Sequence, residues 1–152
     1  MITICKATTS QLDDLAPLFD AYRVFYKKKT NLKGAKEFLK QRLDKKQSVI
    51  FIAYEDSKAV GFTQLYPSYS SVSMAPLWIL NDLFVSPKHR SKKIGIQLLE
   101  SAQVFSVETN TKGISLETEK SNTIGNQLYP KMNFKKDEEH NFYFWSNTNF
   151  SS

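Results

Sequence analysis

Residues 78–100 read W-I-L-N-D-L-F-V-S-P-K-H-R-S-K-K-I-G-I-Q-L-L-E. Trp78 to Val85 is apolar and rich in β-formers, and Pro87 stops it, so it reads as a buried strand. The basic run His89-Arg90-Ser91-Lys92-Lys93 follows. Beyond it, Leu98, Leu99, Ala102 and Phe105 recur at helical spacing with Gln97, Glu100 and Gln103 between them, the pattern of an amphipathic helix. A strand therefore feeds a short basic loop, and the loop feeds a helix N-terminus. The free N–H groups and the dipole at such an end favour an anion. Arg90, Lys92 and Lys93 add formal charge there, and Gly95 lets the main chain approach whatever is bound. Spacing alone fits equally a solvated basic turn between a core strand and a surface helix.

Working outward toward the N-terminus, Ala59–Tyr66 and Val49–Tyr54 read as two strands. The turn-forming Glu55-Asp56-Ser57-Lys58 between them makes a hairpin. Gly61 inside the second strand marks a bulge or a close approach. Pro67 to Ala75 reads as a small-residue loop. Ala35, Phe38, Leu39, Arg42 and Leu43 outline one amphipathic helix. Leu12, Leu15, Phe19, Tyr22 and Tyr26 outline an earlier one, capped by Ser10 and kinked or split by Pro17. Ile2 to Lys6 is a first strand, and its Cys5 reads as a core residue. Working toward the C-terminus, Ile114–Thr118 alternates as a strand and Thr123–Met132 is helical. Pro130 should end or kink that helix near Tyr129. Phe134 and Phe142–Trp145 read as closing strands.

With 152 residues the chain fits one domain, 1–152, with a core of ordinary size. Apolar residues make up 41% and charged residues 24%, and no apolar run approaches the ~20 residues of a membrane span. The opening M-I-T-I-C-K lacks a signal-peptide layout, and a lone cysteine forms no internal disulfide, so a cytoplasmic location is expected. Two histidines and one cysteine supply no metal-ligand set. The net charge of +6 suits a polyanion, but it is scattered over Lys27–Lys29, Lys45-Lys46, Lys92-Lys93 and Lys135-Lys136 rather than gathered in a patch.

Two patterns in the right order resemble the GNAT superfamily of N-acetyltransferases. Arg90-Ser91-Lys92-Lys93-Ile94-Gly95 is similar to its acetyl-CoA signature R/Q-x-x-G-x-G/A, with Lys93 where the family has the middle glycine. Asn122, Gly125, Leu128, Tyr129, Asn133 and Phe134 resemble N-x-x-A-x-x-L-Y-x-x-x-G-F, with Asn133 in place of a glycine. Asn tolerates a left-handed φ better than other side chains, so that exchange suits a helix C-terminus. The stretch L-N-D-L-F-V is closest to the yeast histone-acetyltransferase-like subgroup and to spermidine/spermine N-acetyltransferases. Asn81 stands where the latter carry a glutamate, and an amide cannot serve as a carboxylate base.

The resemblance implies a mixed α/β sheet of about six or seven strands flanked by about four helices. Strands Leu80–Val85 and Ile114–Thr118 should form a parallel pair that splays. It implies transfer of an acetyl group from acetyl-CoA to a primary amine of a small molecule or basic peptide, by direct attack in a ternary complex. Leu83, Phe84, Val85, Arg90, Ser91, Lys92, Lys93, Ile94, Gly95, Ile96, Asn122 and Tyr129 would contact the cofactor. Tyr129 would be the general acid. Asp82 would be the base or the acceptor anchor, with Tyr22, Tyr26 and Asn81 beside it at the acceptor. Self-association as a homodimer is expected, and no metal or membrane partner. A catalytically degenerate CoA sensor is one alternative, and a basic nucleic-acid-binding module is another.

Overall fold

In the computed structural model, which describes residues 1–151, one sheet runs in the order β1-β2-β3-β4-β5. Strands β1 (Ile2–Lys6), β2 (Val49–Glu55), β3 (Lys58–Ser70) and β4 (Ala75–Val85) are antiparallel neighbours, and β5 (Ile114–Ser115) lies parallel to β4. The helices are α1 (Leu12–Phe25), α2 (Leu32–Asp44), α3 (Ile94–Glu108) and α4 (Thr123–Lys131). Alternation along the strands divides the core in two. Ile50, Ile52, Phe62 and Phe84 face Leu15, Phe19, Ala35 and Leu39 of α1 and α2. Ala53, Val60, Leu65 and Leu80 face Ile94, Leu98, Leu99 and Ala102 of α3. Each such Leu, Ile or Phe contributes roughly 1.5–3 kcal/mol when fully buried.

A bulge in β4 decides what the site is made of. Gln64 pairs with Asp82 but Leu65 pairs with Leu80, so Asn81 is the extra residue. In a regular strand Leu80 and Asp82 would share a face. The bulge instead turns Leu80 to the α3 side and leaves Asp82 and Phe84 toward α1. Gly61 is needed one strand away. A Cβ there would lie 2.9 Å from the Phe84 carbonyl oxygen, the close approach expected of it.

The sheet has five strands rather than six or seven. Phe134 and Phe142–Trp145 do not close it. Among the described residues, no main-chain group of 135–146 bonds to another main-chain group, and a strand without such a partner does not form. Strand Ile114–Thr118 shortens to Ile114–Ser115. The loop expected at Pro67–Ala75 is mostly strand. β3 outruns β2, so Pro67 occupies an edge where its missing N–H is harmless. α1 continues unbroken through Pro17, and it is Thr8, not Ser10, that caps the turn leading into it. α4 runs one residue past Pro130 before it stops. Cys5 is exposed on edge strand β1 rather than buried.

Candidate active site

β4 and β5 are paired only at Trp78–Ile114 and Ile79–Ser115. Beyond Ile79 they part, as expected of a splayed parallel pair, and the rest of β4 has no neighbour on that side. The chain that follows β4 runs through a 3₁₀ turn at Pro87–His89 and the basic loop into α3. The cleft between the parted strands therefore opens toward the N-terminus of α3.

That N-terminus is free. Lys93 occupies the N-cap without a side-chain cap bond, and no acidic residue lies in the first turn. The first intrahelical bond beyond the cap is Gln97 N–H to Lys93 O at 3.2 Å, so the N–H groups of Ile94, Gly95 and Ile96 have no helical acceptor. A Cβ on Gly95 would meet only Leu128 Cδ2 at 3.7 Å, so protein packing does not demand the glycine. The space outside it suits an anionic ligand against the main chain. Ser91 and Lys93 have φ of 72° and 60°. A lysine in the left-handed region is strained by about 1–2 kcal/mol, and in return the backbone curls around the helix end.

The basic side chains are partly committed elsewhere. Arg90 donates from Nε to the Val85 carbonyl at 3.0 Å, and its guanidinium lies over Phe25 and Phe84 at 5.4 and 5.7 Å. It thus ties the loop to β4 and α1. Lys92 Nζ and His89 Nε2 reach Glu55 at 2.7 and 3.2 Å, which anchors the loop to the end of β2.

On the α1 side of β4, Asp82 is only 2% exposed. Its carboxylate accepts from Gln64 Nε2 and, at 2.8 Å, from Asn81 Nδ2. Burial pushes its pKa up, while Gln64, Asn81 and Tyr22 hold it down in part. The Tyr22 hydroxyl lies between that carboxylate and the Asn81 carbonyl, to which it donates at 3.3 Å. Carbonyls displaced by the bulge are thus met by side chains; Thr63 Oγ1 likewise donates to the Asp82 carbonyl at 2.7 Å. Tyr22 packs edge-on against Tyr26 at 5.1 Å between ring centres. Burial first, then the carboxylates of Glu119 and Asp82, raise Tyr26. Burial raises Tyr66 to about 12, with Asp82 adding to it.

Tyr129 faces this group from α4. Its pKa is pushed up to about 12, mainly by burial and then by Tyr26, so it keeps its proton at neutral pH. The end of α4 fixes its position. Phe134 N–H bonds to the Tyr129 carbonyl at 3.0 Å and Asn133 N–H to the Pro130 carbonyl at 3.1 Å, the paired bonds of a Schellman motif. Asn133 has the left-handed φ of 67° this requires, and the Phe134 ring packs on Tyr129 at 5.8 Å. At the other end Asn122 caps the helix, its Oδ1 accepting from Gly125 N–H at 3.1 Å. That bond accounts for Asn122 without any ligand.

Tyr22, Tyr26, Asn81, Asp82 and Tyr129 thus come together, and Arg90 to Ile96 form the adjoining helix end. Leu83 and Val85 pack toward α3 and Phe84 toward α1, so only their main chain borders the cleft. Gln64, Tyr66 and Glu119 join the group and were not among the residues read from sequence.

The sequence pattern of the Acetyltransferase (GNAT) family matches residues 15–134. The chain is 44% identical over 136 residues to the uncharacterized N-acetyltransferase YhfO of Bacillus subtilis (strain 168), covering 90% of this chain and 91% of that one. It superimposes on a crystal structure of a probable acetyltransferase with a TM-score of 0.92 and 35% identity, over 97% of this chain and 99% of the other. An aminoglycoside N-acetyltransferase solved in complex with CoA shares the fold, with a TM-score of 0.79 and 20% identity over 95% of each chain. The helix-end loop, the parted strands and a family pattern spanning most of the chain agree: this is an enzyme of the acetyltransferase (GNAT) family.

Proposed function

We propose that the chain is a single N-acetyltransferase domain that transfers the acetyl group of acetyl-CoA to a primary amine in a ternary complex. Its subgroup would be the one resembled by L-N-D-L-F-V at residues 80–85. The observation that carries this reading is the open edge of β4 beyond Ile79, set between an unblocked helix N-terminus and a protonated tyrosine. When bound, acetyl-CoA supplies a thioester whose C–S bond is exchanged for the amide C–N bond. The N–H groups of Ile94, Gly95 and Ile96 hold the phosphates, with Ser91, Lys92 and Lys93 shaping and charging the loop. Main-chain N–H groups of the unpaired β4 edge orient and polarise the acetyl carbonyl. Tyr129 holds a proton where the leaving sulfur needs one.

Asp82, with Tyr22, Tyr26 and the Asn81 bulge, anchors the cationic amine, and water carries away the proton the amine must lose before attack. Asp82 fits an anchor better than a base. Its carboxylate accepts hydrogen bonds from Gln64 and Asn81, which fix its orientation. Aminoglycosides and polyamines are the first acceptors to try. The protein is taken to act in the cytoplasm as a homodimer. No described helix is long and apolar enough to cross a membrane.

A thermal-shift series with acetyl-CoA, CoA and duplex DNA tests the reading. Acetyl-CoA and CoA should raise the melting temperature and DNA should not. Stabilisation by DNA alone would replace the proposal with a nucleic-acid module. A shift with acetyl-CoA but no acetylation of any amine would reduce it to a CoA sensor.

A further inference from the structure

Among the described residues, four buried side-chain atoms that could hydrogen-bond have no partner: Arg42 Nε, Ser48 Oγ, Gln64 Oε1 and His89 Nδ1. Such atoms are rare in folded proteins, because an unmet polar group is costly to bury. His89 belongs to the turn before α3. The other three lie at one end of the sheet, on the face that carries Asp82. Gln64 pairs with Asp82, and Tyr66 follows it two residues later on the same face of β3. Ser48 precedes the Val49–Leu65 pair, so it comes level with Tyr66, on the side that Ile50 turns to α1 and α2. Arg42 stands in the last turn of α2. Its carbonyl accepts from Gln47 N–H at 2.8 Å, which brings that helix end beside Ser48.

The charges of this cluster are unmatched as well. Neither Arg42 nor Asp82 takes part in an ion pair among the described residues. The half-buried Arg42 guanidinium lies over the Phe38 ring at 4.5 Å, and its Nη2 donates at 3.3 Å to the neutral Gln41 Oε1. A cation and a buried anion on one face each lack a counter-charge. Tyr66 lies in the field of both. Burial is the main cause of its raised pKa, Asp82 adds to the rise, and Arg42 opposes it.

We propose that this cluster binds a carboxylate of the acceptor, so that the substrate is a primary amine that also carries a carboxylate, as an amino acid does. The inference deepens the acetyl-transfer reading and rests on it. The ammonium end lies at Asp82. There Gln64 Oε1, the free end of the amide that donates to Asp82, accepts a further N–H. The orientation of that amide is fixed, because an ionised carboxylate accepts and cannot donate. The carboxylate end meets three donors: Arg42 Nε and the hydroxyls of Ser48 and Tyr66. A guanidinium keeps its charge and presents a planar fork that matches a carboxylate. A zwitterion therefore satisfies the unpartnered atoms and both unpaired charges. A plain polyamine brings cations alone and leaves Arg42 facing one.

The test compares lysine with cadaverine and alanine with ethylamine, pairs that differ only by a carboxylate, in wild type, Arg42→Met and Tyr66→Phe. Arg42→Met keeps an aliphatic stem on Phe38, and Tyr66→Phe keeps the ring. In wild type the carboxylate-bearing member of at least one pair should have a kcat/KM roughly 10-fold or more above its partner. That ratio should fall roughly 10- to 100-fold in Arg42→Met and less in Tyr66→Phe. A merely structural Arg42 would lower both members together and leave the ratio unchanged, which overturns the proposal. Equal or better turnover of cadaverine and ethylamine in wild type also overturns it, while acetyl transfer to amines stands. Where none of the four amines turns over, calorimetric titration of lysine and cadaverine into the enzyme saturated with CoA decides. Lysine binding that is lost in Arg42→Met supports the carboxylate site, and no preference for lysine overturns it.

Discussion

Tyr129 is protonated at neutral pH, as tyrosines are, and burial tightens its hold on that proton, while the Schellman turn behind it fixes its main chain. If the proton is delivered as the thiolate leaves, the hydroxyl contributes in the transition state and little in binding. Tyr129→Phe should then lower kcat by roughly 10- to 1,000-fold with acetyl-CoA affinity unchanged. Unchanged turnover would leave Tyr129 as packing against Phe134. Asp82 makes a pH prediction. Burial raises its pKa, so the ionised form that would anchor a cation in the proposed role is lost at a higher pH than for an ordinary carboxylate. Gln64, 0% exposed, donates to the ionised form and opposes that shift. Gln64→Leu removes the donor and should move the acid limb of kcat/KM for the acceptor to higher pH, while the limb for acetyl-CoA stays in place. A limb that does not move would separate Gln64 from the chemistry. Asp82 and Tyr129 were legible in the sequence because each sits in a patterned run. Gln64 was not, because its role arises from a hairpin register and a bulge that no local pattern in Q-L-Y-P announces.

The loop into α3 was legible as a basic turn before a helix, but its backbone was not. Lys93 takes a left-handed φ that its side chain does not favour, and only the curl of the completed loop requires it. Lys93→Gly should relieve that strain and raise the unfolding free energy by about 1 kcal/mol in a urea titration. An unchanged midpoint would mean the loop relaxes in solution. Gly95 separates fold from function more cleanly. A Cβ there meets nothing closer than 3.7 Å. Gly95→Ala should therefore leave stability unchanged or raised by up to about 1 kcal/mol. Gly95→Trp should remain folded and bind acetyl-CoA at least about 10-fold more weakly, because its side chain fills the approach to the helix end. Full affinity in folded Gly95→Trp would remove this helix end as the phosphate site. At the other helix, the reading of Asn133 as the left-handed terminator of α4 holds, because Asn is the side chain that best tolerates that φ.

Across the whole molecule, periodicity placed the four helices and the first four strands, because each buries a face against the sheet or its helices. Periodicity failed at the C-terminus. Phe142–Trp145 has the composition of a strand, but a strand also needs a partner edge, and composition does not say whether that edge lies in the same chain. The parted β4 and β5 strands are a property of the assembled sheet, and they give the cleft its floor. In the proposed reaction this cleft joins a thioester acetyl group to an amine. The most direct measurement follows free CoA thiol and acetylated amine together, in one reaction mixture, across a panel of aminoglycosides, polyamines and basic peptides. The prediction is that for at least one amine the two products appear in equal amounts at a rate that saturates with amine. Tight binding of acetyl-CoA with no amide formed from any member of the panel would contradict it.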